Sequence, residues 1–221
     1  MKLLSLLYPE KCGRCGVPLS DGQRFLCENC LTDGEYYFYQ SFSTPGVDAA
    51  DAPLLYKDFV RRALQAYKFR GRRSYADWFA ARVGDCLEGY FDEWKPDCIT
   101  FVPVSFGRWM RRGYNQSALV ARLVAKRFGL PCERMLRKVR HTQVQSSLPH
   151  EARAENVKDA FAARHGVRIE GMRVLLLDDV ATTGSTAAAC AKALRDGGAV
   201  AVFFISMTKT PVVRENKQVK Q

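Results

Sequence analysis

From Leu54 onward the apolar positions fall into two kinds of run. Leu55, Phe59, Ala63, Leu64 and Tyr67 recur at helical spacing, with Gly71 suited to a stop. Tyr75, Trp78, Phe79, Val83 and Leu87 predict a second helix. Residues 116–128 predict a third, with Leu119, Val120, Leu123 and Val124 inward and Gly129 and Pro131 closing it. Between these, residues 98–104 form a short apolar run with Ile99, Phe101 and Val102, which predicts a buried strand. A second such run, Val174 to Asp178, leads into a helix over residues 185–195 that ends at Gly197-Gly198. A further strand is expected over residues 199–206. This succession predicts an α/β fold: a parallel sheet flanked by helices on both faces.

The first 34 residues follow neither period. They hold Cys12-Gly13-Arg14-Cys15 and Cys27-Glu28-Asn29-Cys30, two CxxC pairs eleven residues apart. Each pair can present two thiolates from one tight turn. Two such turns offer four sulfurs at tetrahedral positions, the donor set of a structural zinc ion. Iron held in the same way is the alternative. The segment has few core residues, so a metal is expected to replace a hydrophobic core there. The chain therefore divides into a zinc-binding module at 1–34, a polar and aromatic bridge at 35–53, an α/β domain at 54–213 and a polar tail at 214–221.

Composition narrows the function classes. The chain has 221 residues, 47% apolar and 26% charged, which suits one sizeable α/β domain with a small appendage. No apolar run approaches the roughly 20 residues that span a bilayer. The first eight residues lack the pattern of an export signal, so a cytoplasmic location is expected and four-cysteine metal binding is preferred to disulfides. The net charge is +11. Its excess gathers at residues 68–73, 108–112 and 134–140, which points to a polyanion: nucleic acid or a phosphorylated small molecule.

The most informative stretch is Val174-Leu175-Leu176-Leu177-Asp178-Asp179-Val180-Ala181-Thr182-Thr183-Gly184-Ser185-Thr186. A buried strand here would hold the acids and the loop after them in fixed positions. Two adjacent carboxylates, Asp178 and Asp179, can accept hydrogen bonds from neighbouring ribose hydroxyls. Ala181, Thr182, Thr183, Gly184, Ser185 and Thr186 then gather backbone N–H groups and hydroxyls at a helix N-terminus, where a phosphate monoester binds. A Ser/Thr helix cap alone accounts for Ser185, but not for two acids closing an apolar strand before a threonine pair.

This run resembles the phosphoribosyl diphosphate motif of type I phosphoribosyltransferases. Nearly the whole chain resembles the competence protein F (ComF) family. The resemblance takes in the CxxC pairs, Tyr67-Lys68-Phe69-Arg70-Gly71-Arg72, Val102-Pro103-Val104-Ser105, Arg112-Gly113-Tyr114-Asn115-Gln116-Ser117, then Arg140, Thr142, Gln145, Arg153, Asn156, Ala160 and Phe161. It implies a type I phosphoribosyltransferase fold in which Asp178 and Asp179 act on the ribose of phosphoribosyl diphosphate, bound with Mg2+. It implies a diphosphate loop at Val104 and Ser105, with Arg112 just beyond, and a hood over residues 140–161 that contributes Arg153 and Asn156. A cis bond at Val102-Pro103 is open.

Lys68, Arg70, Arg72 and Arg73, interleaved with Tyr67 and Phe69, suit single-stranded nucleic acid. Equally, the aromatics face a core and the cations face water. Three roles are implied by the resemblance. The first is DNA uptake and natural transformation by handling single-stranded DNA, alongside other DNA-uptake proteins. The others are phosphoribosyl transfer to an acceptor, and sensing of phosphoribosyl diphosphate.

Overall fold

Strand β6, Arg173–Ala181, lies between two covered faces, and its Val174, Leu175, Leu176 and Leu177 are all 0% exposed. The computed structural model around it describes residues 11–20, 22–23, 25–33, 37, 41–140 and 156–211. β6 pairs in parallel with β7 (Ala201–Lys209) on one side and with β3 (Cys98–Phe101) on the other. β7 in turn pairs in parallel with β1 (Ala49–Asp51) and β2 (Leu54–Leu55). The order is β1-β7-β6-β3 with every pairing parallel. A strand so placed is apolar on both faces, which is why β6 and β7 read as unbroken runs rather than alternating ones.

Successive side chains of these strands feed two separate cores. Leu175, Leu177, Phe203, Ile205 and Met207 pack under helices α2 (Asp58–Phe69), α3 (Tyr75–Glu88) and α6 (Gln116–Phe128). Val174, Leu176, Val202 and Phe204 pack on the opposite side. There they meet α7 (Ser185–Asp196) and an antiparallel pair, β4 (Leu136–Lys138) with β5 (Phe161–Ala163). Short helices α1 (Glu28–Thr32), α4 (Phe91–Trp94) and α5 (Phe106–Arg112) complete the element order. No helix among the described residues is long and apolar enough to cross a membrane.

Several boundaries differ from those the sequence pattern predicts. β1 lies inside the expected bridge and forms the edge of the main sheet, because residues 49–51 align with Phe203, Phe204 and Ile205. Leu55 belongs to β2, so the first helix begins only at Asp58. β3 ends at Phe101, and residues 102–105 form a loop rather than the end of a strand. Leu123, inward by its spacing, is 36% exposed. The buried arc of α6 runs through Ala118, Val120, Ala121, Val124 and Ala125, and Leu119 and Leu123 fall to one side of it. Three alanines on that arc let the helix approach the sheet closely.

The four-cysteine segment does not stand apart. Phe25 packs edge-on to Tyr75 at 4.3 Å between ring centroids and against Trp78 at 4.5 Å. Phe25 and Leu26 join the core beneath α2 and α3. The segment is therefore held both by its own geometry and by an aromatic plug into the main domain.

Replacing Leu176 by alanine leaves a cavity in a site that touches both neighbouring strands. The expected cost is about 2–5 kcal/mol, read as a lower urea midpoint with unchanged m-value; a midpoint within error of the parent contradicts this placement.

Candidate functional site

β6 extends beyond its apolar half, and its polar end stays in the sheet. Asp178 aligns with Ser206, Val180 with Thr208 and Ala181 with Lys209 on β7. Asp178, Asp179 and Ala181 are thus strand residues, and the connecting loop is only Thr182, Thr183 and Gly184 before α7 begins. This makes the two acids rigid. Their side chains alternate across the pleat, and Asp179 falls on the α2 side, where Lys68 Nζ meets its Oδ1 at 2.7 Å.

Asp178 is crowded by comparison. Burial pushes its carboxyl up, the charge of Asp179 adds to this, and the result is about 7. The Asp179 backbone N–H donates to Asp178 Oδ1 at 2.8 Å and the Ser117 hydroxyl donates to the same oxygen at 3.3 Å. These bonds and the Lys68 charge pull the value back down without cancelling burial.

The loop is shaped by one glycine and braced from β7. Gly184 has φ +79°, and a Cβ there would stand 2.9 Å from Thr44 Cγ2 and 3.0 Å from Thr44 Oγ1. Only glycine meets both demands. Lys209 Nζ donates to the Thr182 carbonyl at 2.6 Å, and Thr208 Oγ1 donates to the Asp179 carbonyl at 3.0 Å. The Thr183 and Ser185 hydroxyls lie 2.6 Å apart, and Thr183 Oγ1 accepts from the Ser185 N–H at 3.3 Å. The first N–H groups of α7, which has no acid in its first turn, complete an anion-favouring cup.

A cavity of about 640 Å³ opens over this end of the sheet. Asp178, Asp179, Thr182 and Thr186 line one wall. Arg61, Lys68, Arg108, Arg111, Arg112 and Lys138 line the rest of the cavity together with apolar residues. Arg112 lies 4.7 Å above the Phe69 ring and donates from Nη1 to Gln116 Oε1 at 2.9 Å. Its Nε is buried with no acceptor among the described residues. Burial lowers its pKa while the Asp179 charge raises it. Six cations against two acids, with one guanidinium N–H lacking an acceptor, suit a multiply charged anion that also offers hydroxyl donors.

The structure separates some residues that the sequence grouped. Val104 lines this cavity, whereas Ser105 faces an adjoining one. The Val102-Pro103 bond is trans, as is every peptide bond among the described residues. Asn156 accepts at its carbonyl from Arg140 Nη2 at 3.4 Å, away from the carboxylates' wall. Arg153, Thr142 and Gln145 lie outside the described residues. Of the cluster assigned to nucleic acid, Lys68 turns into the cavity. Arg73 lies 4.8 Å over the Tyr114 ring. Arg70 and Arg72 stand exposed. Tyr67 is buried, with its hydroxyl donating to the Gln116 carbonyl at 3.0 Å.

Sequence reasoning misses Ser117, Lys209 and Thr44 as parts of this site. Lys209 carries a signal, a lone cation closing a strand of buried residues. Thr44 carries none.

The Sγ atoms of Cys12, Cys15, Cys27 and Cys30 all lie within 4.8 Å of one another, with Cys15 and Cys27 at 3.7 Å. Zinc–sulfur bonds of about 2.3 Å imply tetrahedral sulfur–sulfur edges of about 3.8 Å. The four thiols therefore fit a zinc ion and leave it no open position. Backbone bonds hold the turns: the Cys12 N–H to the Val17 carbonyl at 2.8 Å, and the Gly16 N–H to the Cys12 carbonyl at 2.9 Å.

No protein-family model matches the chain. Among solved structures, it is similar to an adenine phosphoribosyltransferase with a TM-score of 0.40 and 20% identity, covering 78% of this chain and 85% of that one. It is similar to the allosteric regulatory enzyme of purine biosynthesis with a TM-score of 0.35 and 31% identity, over 50% of this chain and 22% of that one. Among curated proteins, DNA utilization protein YhgH of Salmonella typhi is 38% identical over 116 residues, 52% of this chain, and the match spans half of that relative's length. Competence protein ComFC of Bacillus subtilis is 25% identical over 146 residues, 66% of this chain and 58% of the relative. Competence protein F of Haemophilus influenzae is 30% identical over 193 residues, covering 85% of this chain and 79% of that protein. With its four-cysteine segment and its Asp178-Asp179 strand end, the chain belongs to the competence protein F family.

Proposed function

We propose that the chain binds phosphoribosyl diphosphate at the end of β6 and serves DNA uptake by handling single-stranded DNA. The observation that carries the first half is the cavity that Asp178, Asp179, Thr182 and Thr186 share with six cations, Lys68 and Arg112 among them. Ribose hydroxyls donate to the two carboxylates. The 5-phosphate meets the first N–H groups of α7 and the hydroxyls of Thr182, Thr183, Ser185 and Thr186. The diphosphate, bound together with Mg2+, faces Lys68, Arg108, Arg111 and Arg112. The names of the relatives, competence protein F and DNA utilization protein, support the second half.

In this reading Lys68 holds the place of the ligand. It neutralises Asp179 when no ribose is bound, and it is free to turn to the diphosphate once a hydroxyl replaces it. A zinc ion at Cys12, Cys15, Cys27 and Cys30 is structural: it closes the N-terminal segment so that Phe25 can be presented to Tyr75 and Trp78.

Exchanging both Asp178 and Asp179 for asparagine should lower calorimetric affinity for phosphoribosyl diphosphate with magnesium at least about thirtyfold, the loss of two charge-assisted hydrogen bonds. Unchanged affinity sinks the assignment.

Asp178 also links the site to stability. Its folded value near 7 lies above the ordinary carboxylate value of 3.8, so ionising it costs stability: the cost is complete above the folded value, only partial at pH 5, and gone below the unfolded value. Asp178→Asn alone should therefore raise the melting temperature more at pH 8 than at pH 5. An equal gain at both values, or none, means the carboxyl is not held in this state.

Elemental analysis of purified protein should find one zinc per chain, lost in Cys15→Ser with Cys27→Ser. A full zinc content in that double variant contradicts the ligand set.

A further inference from the structure

A second cavity of about 650 Å³ adjoins the first, and Pro103, Val104 and Lys138 line both. Its floor is made by α5. Phe106 is 73% exposed and Trp109 is 46% exposed, with their rings 25° from coplanar and 6.1 Å between centroids. Water-facing aromatics of this size, side by side on one short helix, gain nothing for the fold, since α5 has no buried residue. The same cavity is lined by Arg122, Arg134 and Arg137, all exposed. No acidic side chain lines the cavity among the described residues.

We infer that the Phe106–Trp109 shelf and the Arg122–Arg134–Arg137 wall together form a binding channel for single-stranded DNA. The inference rests on the DNA-handling reading above and moves its contact surface away from residues 68–73. There, Lys68 is engaged with Asp179 and Arg73 with Tyr114.

Each part has a physical reason. Unpaired bases offer π faces that stack on aromatic side chains whatever their sequence, while the phosphates need cations at backbone distance. The shelf supplies the first and the wall the second. A duplex hides its base faces and so cannot use the shelf. A cationic partner is disfavoured by the all-basic rim. A bilayer surface is disfavoured because the aromatics and the arginines line one concavity, whereas an interfacial helix needs its apolar face free and flat. The shared wall at Pro103–Val104 places a strand in the channel next to the phosphoribosyl cavity, so occupants of the two cavities touch the same loop.

The chain provides its own reporter. Of its three tryptophans, Trp78 is 7% exposed and Trp94 is 2% exposed, while Trp109 stands on the shelf. Intrinsic fluorescence of the full chain, titrated with a short oligothymidylate at low salt, should be quenched on binding, and a duplex of the same length should leave it unchanged. Trp109→Phe should keep affinity within about threefold and lose the quench. Phe106→Ala with Trp109→Ala, both exposed positions, should keep the parent melting temperature and lose about tenfold or more in affinity by anisotropy of a labelled oligonucleotide. Arg134→Gln with Arg137→Gln should weaken binding and flatten its salt dependence. Binding with full affinity in the Phe106/Trp109 variant, or equal competition by polyglutamate without quenching, overturns the channel and leaves the DNA-handling reading standing. No oligonucleotide binding by the parent protein overturns both.

Discussion

Two adjacent carboxylates must be held at the mouth of a strand that has no water on either face, and much of the structure answers that constraint. Four residues at 0% exposure precede Asp178, so nothing in β6 can yield to separate the charges. The chain resolves the conflict unevenly. Asp179 receives an ion pair from Lys68 on α2, while Asp178 keeps a carboxyl raised to about 7 by burial and by its neighbour. Such an arrangement disfavours ionised Asp178, and in the proposed reading ribose hydroxyls relieve that conflict. A site whose groups conflict with one another in isolation is what a ligand-binding function asks of a fold, at some expense in stability.

The same strand organises the rest. Leu175 and Leu177 feed the core under α2, α3 and α6, and Val174 and Leu176 the core under α7 and the β4–β5 pair. Through the first core it fixes Lys68 and Ser117. Through its neighbour β7 it fixes Thr208 and Lys209, which donate to the Asp179 and Thr182 carbonyls. The N-terminal segment reaches this scaffold through Phe25, so the four-cysteine cluster and the packing of α3 are coupled by the contacts of one ring with Tyr75 and Trp78.

Legibility in the sequence depends on locality. The β6 run, the threonine loop, the start of α7 and the paired CxxC turns are contiguous features that the pattern locates, although β6 runs on past the expected end at Asp178 to Ala181. Features that depend on distant pairing leave no such trace. β1 is three residues long, too short to show a period, and exists because β7 offers it an edge. Leu123 looks inward when apolar character is counted without its angular position, but alanines take the packed arc. Lys68 sits in a basic run, yet it pairs with Asp179 while Arg73 lies over Tyr114 and Arg70 and Arg72 stand exposed. Thr44, 140 positions before Gly184, explains the requirement for glycine there, and no spacing rule connects the two.

The central claim is that the end of β6 is a phosphoribosyl site. A crystal structure of the full chain soaked with phosphoribosyl diphosphate and magnesium tests it most directly. The expected result is ribose hydroxyls within hydrogen-bond distance of Asp178 and Asp179, the 5-phosphate over Thr182–Thr186, and Lys68 moved off Asp179 towards the diphosphate. A ligand bound elsewhere, or absent at saturating concentration with the Lys68–Asp179 pair intact, contradicts it.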